Sequence, residues 1–129
     1  MAEHNDIGKI GEALAKSFLV KHNFSIVETN YRTKYGEIDI IAQKDNKLRF
    51  IEVKSVKVRD ISYIKNLKVN PEDNLTMEKW RKMIISIETY LKHKNILNKT
   101  KHQIDLACIY INIEKREGRV KFLENIYKE

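Results

Sequence analysis

The stretch from Gly36 to Ser55, GEIDIIAQKDNKLRFIEVKS, constrains this chain more than any other. Two apolar runs rich in Ile, Val and Phe flank a polar Lys44–Lys47, the pattern of two β-strands joined by a tight turn. So short a turn makes the strands antiparallel neighbours. Charges interrupt the runs at Glu37, Asp39, Glu52 and Lys54. Because successive strand residues point to opposite faces, Glu52 and Lys54 share a face, and Glu37 and Asp39 share one opposite Ile38 and Ile40. If Asp39 stands across from Glu52, then Ile41 meets Phe50, Gln43 meets Leu48, and Lys44–Lys47 forms the turn. That register gathers Asp39, Glu52 and Lys54. A slip by one residue separates them unless a bulge compensates.

Two carboxylates and an amine so placed suit a divalent cation and a phosphate ester. Mg²⁺, with Mn²⁺ as a substitute, takes oxygen ligands and is held by one or two carboxylates while keeping several waters. The expected ligands are Asp39 and Glu52, with the backbone carbonyl of Val53 as a further one. Lys54 is the expected catalytic amine, able to orient a water or steady developing charge. Glu37 is a supporting carboxylate that can orient a bound water or Lys54. The plainer reading is a solvated strand face, with Glu52 and Lys54 or Lys44 as a surface pair contributing about 0–1 kcal/mol.

Around this pair, Asn5 or Asp6 is expected to cap a helix with Ile7, Ile10, Leu14 and Phe18 along its stripe and Ala15 and Leu19 beside it. Glu12 lies on the flank of that stripe, either reaching toward Asp39 or pairing with Lys16 one turn on. Gly8 and Gly11 each cost the helix up to about 1 kcal/mol against Ala, so close approach of another backbone is a reason to keep them. Phe24–Tyr31 reads as a strand before the pair. Residues 57–75 read as a loop with a short helical piece. Thr76 then caps a second helix with Met77, Trp80, Ile84, Ile87 and Leu91 on one stripe. Gln103–Ile113, apolar on both faces, reads as an interior strand, and Arg119–Tyr127 as a last one. The order α-β-β-β-α-β-β implies one α/β domain over residues 1–129, a sheet with helices packed on it.

A net charge of +7 favours a polyanionic partner. Arg32, Lys34, Lys57 and Arg59 flank the strand pair in sequence and can hold phosphates, and Lys79 lies on the polar flank of the second helix. Tyr31, Tyr35 and Tyr63 either stack on unpaired bases or pack. Asp105, inside an apolar strand, is expected to pair with Arg32 or a helix Lys. The dispersed His residues predict no structural zinc. The lone Cys108 reads as a buried small hydrophobe in a reducing compartment. With no membrane-length apolar run and no secretory start, the expected location is cytoplasmic.

Gly36-Glu37-Ile38-Asp39 followed by Phe50-Ile51-Glu52-Val53-Lys54 resembles the D…ExK signature of the PD-(D/E)xK nuclease superfamily. More closely, the chain resembles the bacterial YraN family of predicted endonucleases, distant relatives of archaeal Holliday junction resolvases. Gly11-Glu12-Ala13, Asn30-Tyr31-Arg32, Lys79 and Ile104-Asp105-Leu106 extend the likeness over residues 8–113. The resemblance implies a restriction-endonuclease-like αβββαβ core with a mixed sheet, to which the last strand is an addition. It also implies a catalytic set of Asp39, Glu52 and Lys54 joined by Glu12, DNA as substrate, including branched or structured DNA, and a homodimer. Tyr63, Ile64 and Leu67 are candidates for the dimer interface. The chain departs from the pattern in lacking the Pro of the superfamily's name and in having Val56 where an Arg is frequent. The expected function is a Mg-dependent endodeoxyribonuclease, and the rival is a nuclease fold that binds nucleic acid or a partner without cutting.

Overall fold

The computed structural model describes residues 2–60 and 76–127. The elements run α1 (Ala2–Lys21), β1 (Ser25–Thr33), β2 (Gly36–Lys44), β3 (Lys47–Lys57), α2 (Met77–His93), β4 (His102–Asn112) and β5 (Glu117–Leu123). The five strands form one mixed sheet in sequence order, antiparallel except where β3 lies parallel to β4. A parallel neighbour needs a crossover connection, and α2 lies within it. The expected α/β architecture, an αβββαβ core with an extra strand, is therefore the observed one. No helix among the described residues is long and apolar enough to cross a membrane.

The two faces of the sheet bury separate clusters. On one, Ala15 and Leu19 of α1 meet Ile40, Ala42, Ile51, Ala107 and Ile109. On the other, Ile87, Tyr90 and Leu91 of α2 meet Ile38, Ile41, Phe50 and Ile104. The interior strand β4 serves both, which explains its unbroken apolar run from Leu106 to Ile111. Cys108 is fully buried in it.

α1 begins at Ala2, so neither Asn5 nor Asp6 is its cap. No Pro or Gly stands among residues 2–6 to stop the helix from extending past them. The buried face of α1 is rotated from the expected stripe: Ala15 and Leu19 are completely buried, whereas Ile10 is 40% exposed. Gly11 lies on this buried face, so close to β3 that an added Cβ would overlap the Ser55 hydroxyl. In α2, Thr76 is the cap as expected, its hydroxyl accepting from the Lys79 N–H. Met77 is 71% exposed, however, and the buried side runs from Ser86 and Ile87 to Tyr90 and Leu91, with Trp80 and Met83 packed against it.

Ile38 and Ile40 do not share a face, contrary to simple alternation, because each belongs to a different cluster. The strand pattern breaks at Asp39, opposite Asn30 of β1, whose backbone has φ 53. The last strand ends at Leu123 rather than Tyr127. The segment after it turns back over β4, where Ile126 N–H donates to Ile104 O. The short helical piece proposed for 57–75, and Tyr63, Ile64 and Leu67 as interface residues, lie outside the described residues.

Candidate active site

The β2–β3 ladder runs from Lys44↔Lys47 through Gln43↔Leu48 and Ile41↔Phe50 to Ile40↔Ile51. One further step in this register sets Asp39 across from Glu52, and there the ladder opens. β3 continues alongside β4 as far as Lys57, while β2 stays with β1. In the fork, Asp39 Oδ2 accepts the Val53 N–H at 2.8 Å, so a carboxylate replaces the strand carbonyl that would otherwise take that donor. The Asp39 and Glu52 carboxyls also hydrogen-bond to each other. The two sequence-predicted ligands are thus adjacent.

Burial raises both carboxyls, Asp39 to about 6 and Glu52 to about 8. Desolvation is the largest cause in each case, since charge is costly away from water. For Asp39 the Val53 N–H acts against it, and Glu37 and Glu12 add repulsion. For Glu52 the Asp39 charge raises the value further and Lys79 partly offsets it. Both shifts favour a proton held between the two carboxyls, a property of the pair rather than of either residue.

The fork opens toward both faces. On the α2 side, Glu52, Val53, Lys54 and Ser55 line a cavity of about 420 Å³ with Tyr35 from the β1–β2 turn, Gly36 and Glu37 from the start of β2, and Lys79, Lys82, Met83 and Ser86 from α2. Lys54 follows Glu52 at strand spacing and shares this cavity with it. On the α1 side, Asp39 and Val53 line a second cavity with Glu12, Asn30 and Lys9. Glu12 pairs with Lys16 Nζ at 3.6 Å and lines the same cavity as Asp39, adding to the negative field there. It also accepts from Asn30 Nδ2 at 2.7 Å. Glu37 lines both cavities and pairs with Arg32 Nε at 3.5 Å.

Of the expected phosphate-holding residues, Lys79 reaches the cavity of Glu52, Lys34 lies beside Tyr35, and Arg32 is tied to Glu37. Lys57 and Arg59 line a different cavity with Asn112 and Glu114, and the Arg59 carbonyl accepts from Asn112 Nδ2. Lys82 is a cavity residue that sequence reading missed, although its place one turn after Lys79 was a usable signal. Asp105 pairs with neither Arg32 nor a helix Lys. It is fully buried, taking Arg49 Nη1 at 3.1 Å, Gln103 Nε2 at 2.7 Å and the Asn125 N–H at 2.8 Å. In the β3–β4 ladder Arg49 stands opposite Gln103 and Asp105 opposite Ile51, before β3 reaches the fork at Glu52, so this ion pair belongs to the sheet's interior.

Among the described residues no three His, Cys, Asp or Glu side chains are gathered to hold an ion. Asp39 and Glu52 form a two-carboxylate set, enough for a cation that retains several waters.

The model of the uncharacterised protein family UPF0102 matches residues 11–109. A UPF0102 protein of Flavobacterium psychrophilum is 35% identical over 127 residues, covering 98% of each chain. One from Campylobacter lari is 40% identical over 118 residues, 90% of this chain and 88% of its own. One from Clostridium perfringens is 36% identical over 129 residues, 99% of each. The matched stretch contains the fork, Glu12, Lys54 and α2, and the chain belongs to the uncharacterised protein family UPF0102.

Proposed function

We propose that this chain is a metal-dependent nuclease that hydrolyses phosphodiester bonds in DNA, in keeping with its resemblance to the PD-(D/E)xK superfamily. The observation that carries the reading is the Asp39–Glu52 carboxyl pair at an opened strand fork, with Lys54 in the same cavity as Glu52. Two buried, mutually repelling carboxyls are costly to a fold unless a cation relieves them. Asp39, Glu52 and the Val53 carbonyl would hold Mg²⁺, which supplies an acidified water and neutralises charge on the phosphate.

The chain's own groups account for the remainder. Asp39 and Glu52 would serve as ligands in their ionised form, so holding the ion would displace the proton they share. Lys54, on the Glu52 side, holds the attacking water in line or steadies charge on the phosphate oxygens. Lys79 and Lys82, on the opposite wall, bind flanking phosphates and position the strand without reading its sequence. Glu12 and Glu37 keep the field around Asp39 negative.

The test is cleavage of duplex, single-stranded, flap and four-way-junction DNA, with RNA alongside, in Mg²⁺ or Mn²⁺. Wild type should cut at least one DNA, while Glu52→Ala and Lys54→Ala lose at least about a hundredfold in rate. Equal cutting by wild type and both variants would expose a contaminant. Wild-type binding with no cutting of any member would replace this reading with that of a binding module.

A further inference from the structure

Tyr35 is a large aromatic side chain at the mouth of the Glu52–Lys54 cavity, and it is 41% exposed. Its neighbour in the strand pair behaves differently. Tyr31 packs edge-on against Tyr90 with centroids 5.0 Å apart and joins the α2-side core. Tyr35 belongs to none of the buried clusters.

The turn that carries Tyr35 is pinned. Thr33 Oγ1 accepts the N–H groups of Tyr35 at 3.1 Å and Gly36 at 3.2 Å, and it shares a 3.0 Å hydrogen bond with the Ser86 hydroxyl of α2. The ring is therefore presented from a backbone tied to both walls of the cavity. Lys34 Nζ lies 5.2 Å from the ring centroid, and Lys79 and Lys82 stand on the facing wall. An exposed aromatic on a fixed turn, bordered by cations and beside paired carboxyls, matches the combination that holds single-stranded nucleic acid: ring for base, ammonium for phosphate.

We infer that Tyr35 is a stacking platform for an unpaired base next to the scissile phosphate, so that the chain selects nucleic acid with unpaired bases over continuous duplex. The inference rests on the nuclease reading of the adjoining cavity and names the substrate class for it. A base within a duplex is already stacked on both sides and must be extruded at a cost before a side chain can take it. A single strand, flap, gap or junction offers such a base at little cost.

The experiment separates stacking from cutting by working first in EDTA. Anisotropy titrations at one ionic strength would compare a labelled single strand with its full duplex, the single strand carrying 2-aminopurine as a stacking reporter. Wild type should prefer the single strand and quench 2-aminopurine. Tyr35→Ala should lose about tenfold in single-strand affinity and the quenching, with duplex affinity within about twofold. Tyr35→Phe should behave as wild type. Tyr35→Leu, which keeps apolar bulk without a ring, should behave as Tyr35→Ala. Equal loss on both probes, no loss on either, or wild-type behaviour by Tyr35→Leu would overturn the inference. Tyr35-dependent single-strand binding by a chain that cuts nothing would sustain the stacking role and reject the nuclease. Mg²⁺-dependent cutting that ignores Tyr35 would reject the stacking role alone.

Discussion

The proton shared by Asp39 and Glu52 makes a prediction that needs no substrate. Glu52 titrates near 4.5 in an unfolded chain and near 8 when folded, and Asp39 moves from 3.8 to about 6. Between those values the folded state binds more protons than the unfolded one. The metal-free protein is therefore most favoured by these groups in acid and loses that contribution as pH rises through about 8. Glu52→Gln keeps a donor for Asp39 but removes the titrating group. Its melting temperature should fall less than that of wild type between about pH 5 and about pH 9, and should exceed wild type by several degrees at the upper end. Mg²⁺ should raise wild-type melting most above pH 8, where its ligands are already deprotonated, and should have little effect on Glu52→Gln. A wild-type melting temperature that rises with pH without metal would contradict the assigned protonation. At this same scale, Asp105 marks the limit of local reading. Its presence in an apolar strand signals a buried partner, but Arg49 lies fifty-six positions earlier, amid alternating strand residues where it looks like any solvated charge.

At the scale of elements, the turn length alone carries the β2–β3 register, because Lys44–Lys47 leaves few ways to pair Ile41 with Phe50. The break in alternation at Asp39 is not legible in the same way. It depends on β3 being held by β4 while β2 leaves, and a sequence pattern describes each strand separately. The helices divide similarly. Thr76 announces α2 through its own hydroxyl, whereas the close approach at Gly11 of α1 is to Ser55 of a distant strand. The two glycines of α1 test this contrast. A Cβ on Gly8 meets nothing within 4 Å, so Gly8→Ala should stabilise by up to about 1 kcal/mol through helix propensity. A Cβ on Gly11 would lie 2.9 Å from Ser55 Cβ and overlap its hydroxyl. Gly11→Ala should therefore destabilise by about 1–3 kcal/mol despite the same propensity gain. It should also lower cleavage, because Glu12 beside it would move away from Asp39. Denaturant melts of the two variants check the pair, and equal effects would remove the close-packing account.

For the whole molecule, the net charge of +7 does not say where the cations gather, and the fold does. Lys79 and Lys82 face the carboxyl fork across one cavity, while Lys57 and Arg59, closer to Lys54 in sequence, line another. Sequence proximity does not give cavity membership, because β3 carries residues about 3.3 Å further away with each step, whereas a helix packed over the strand's middle brings distant residues back to it. Counterion release turns this geometry into a measurement. Each phosphate neutralised contributes about 0.9 to the slope of log affinity against log salt on duplex DNA and about 0.7 on a single strand. In EDTA, Lys79→Ala and Lys82→Ala should each reduce the slope by about that amount, and in Mg²⁺ both should slow cleavage. Lys57→Ala and Arg59→Ala should leave the cleavage rate within about twofold, since their cavity adjoins neither Asp39 nor Glu52. Should the Lys57 and Arg59 variants lose cleavage while Lys79 and Lys82 variants retain it, the strand would have to cross the sheet at its other end, and the α2 wall would no longer be the phosphate-binding side.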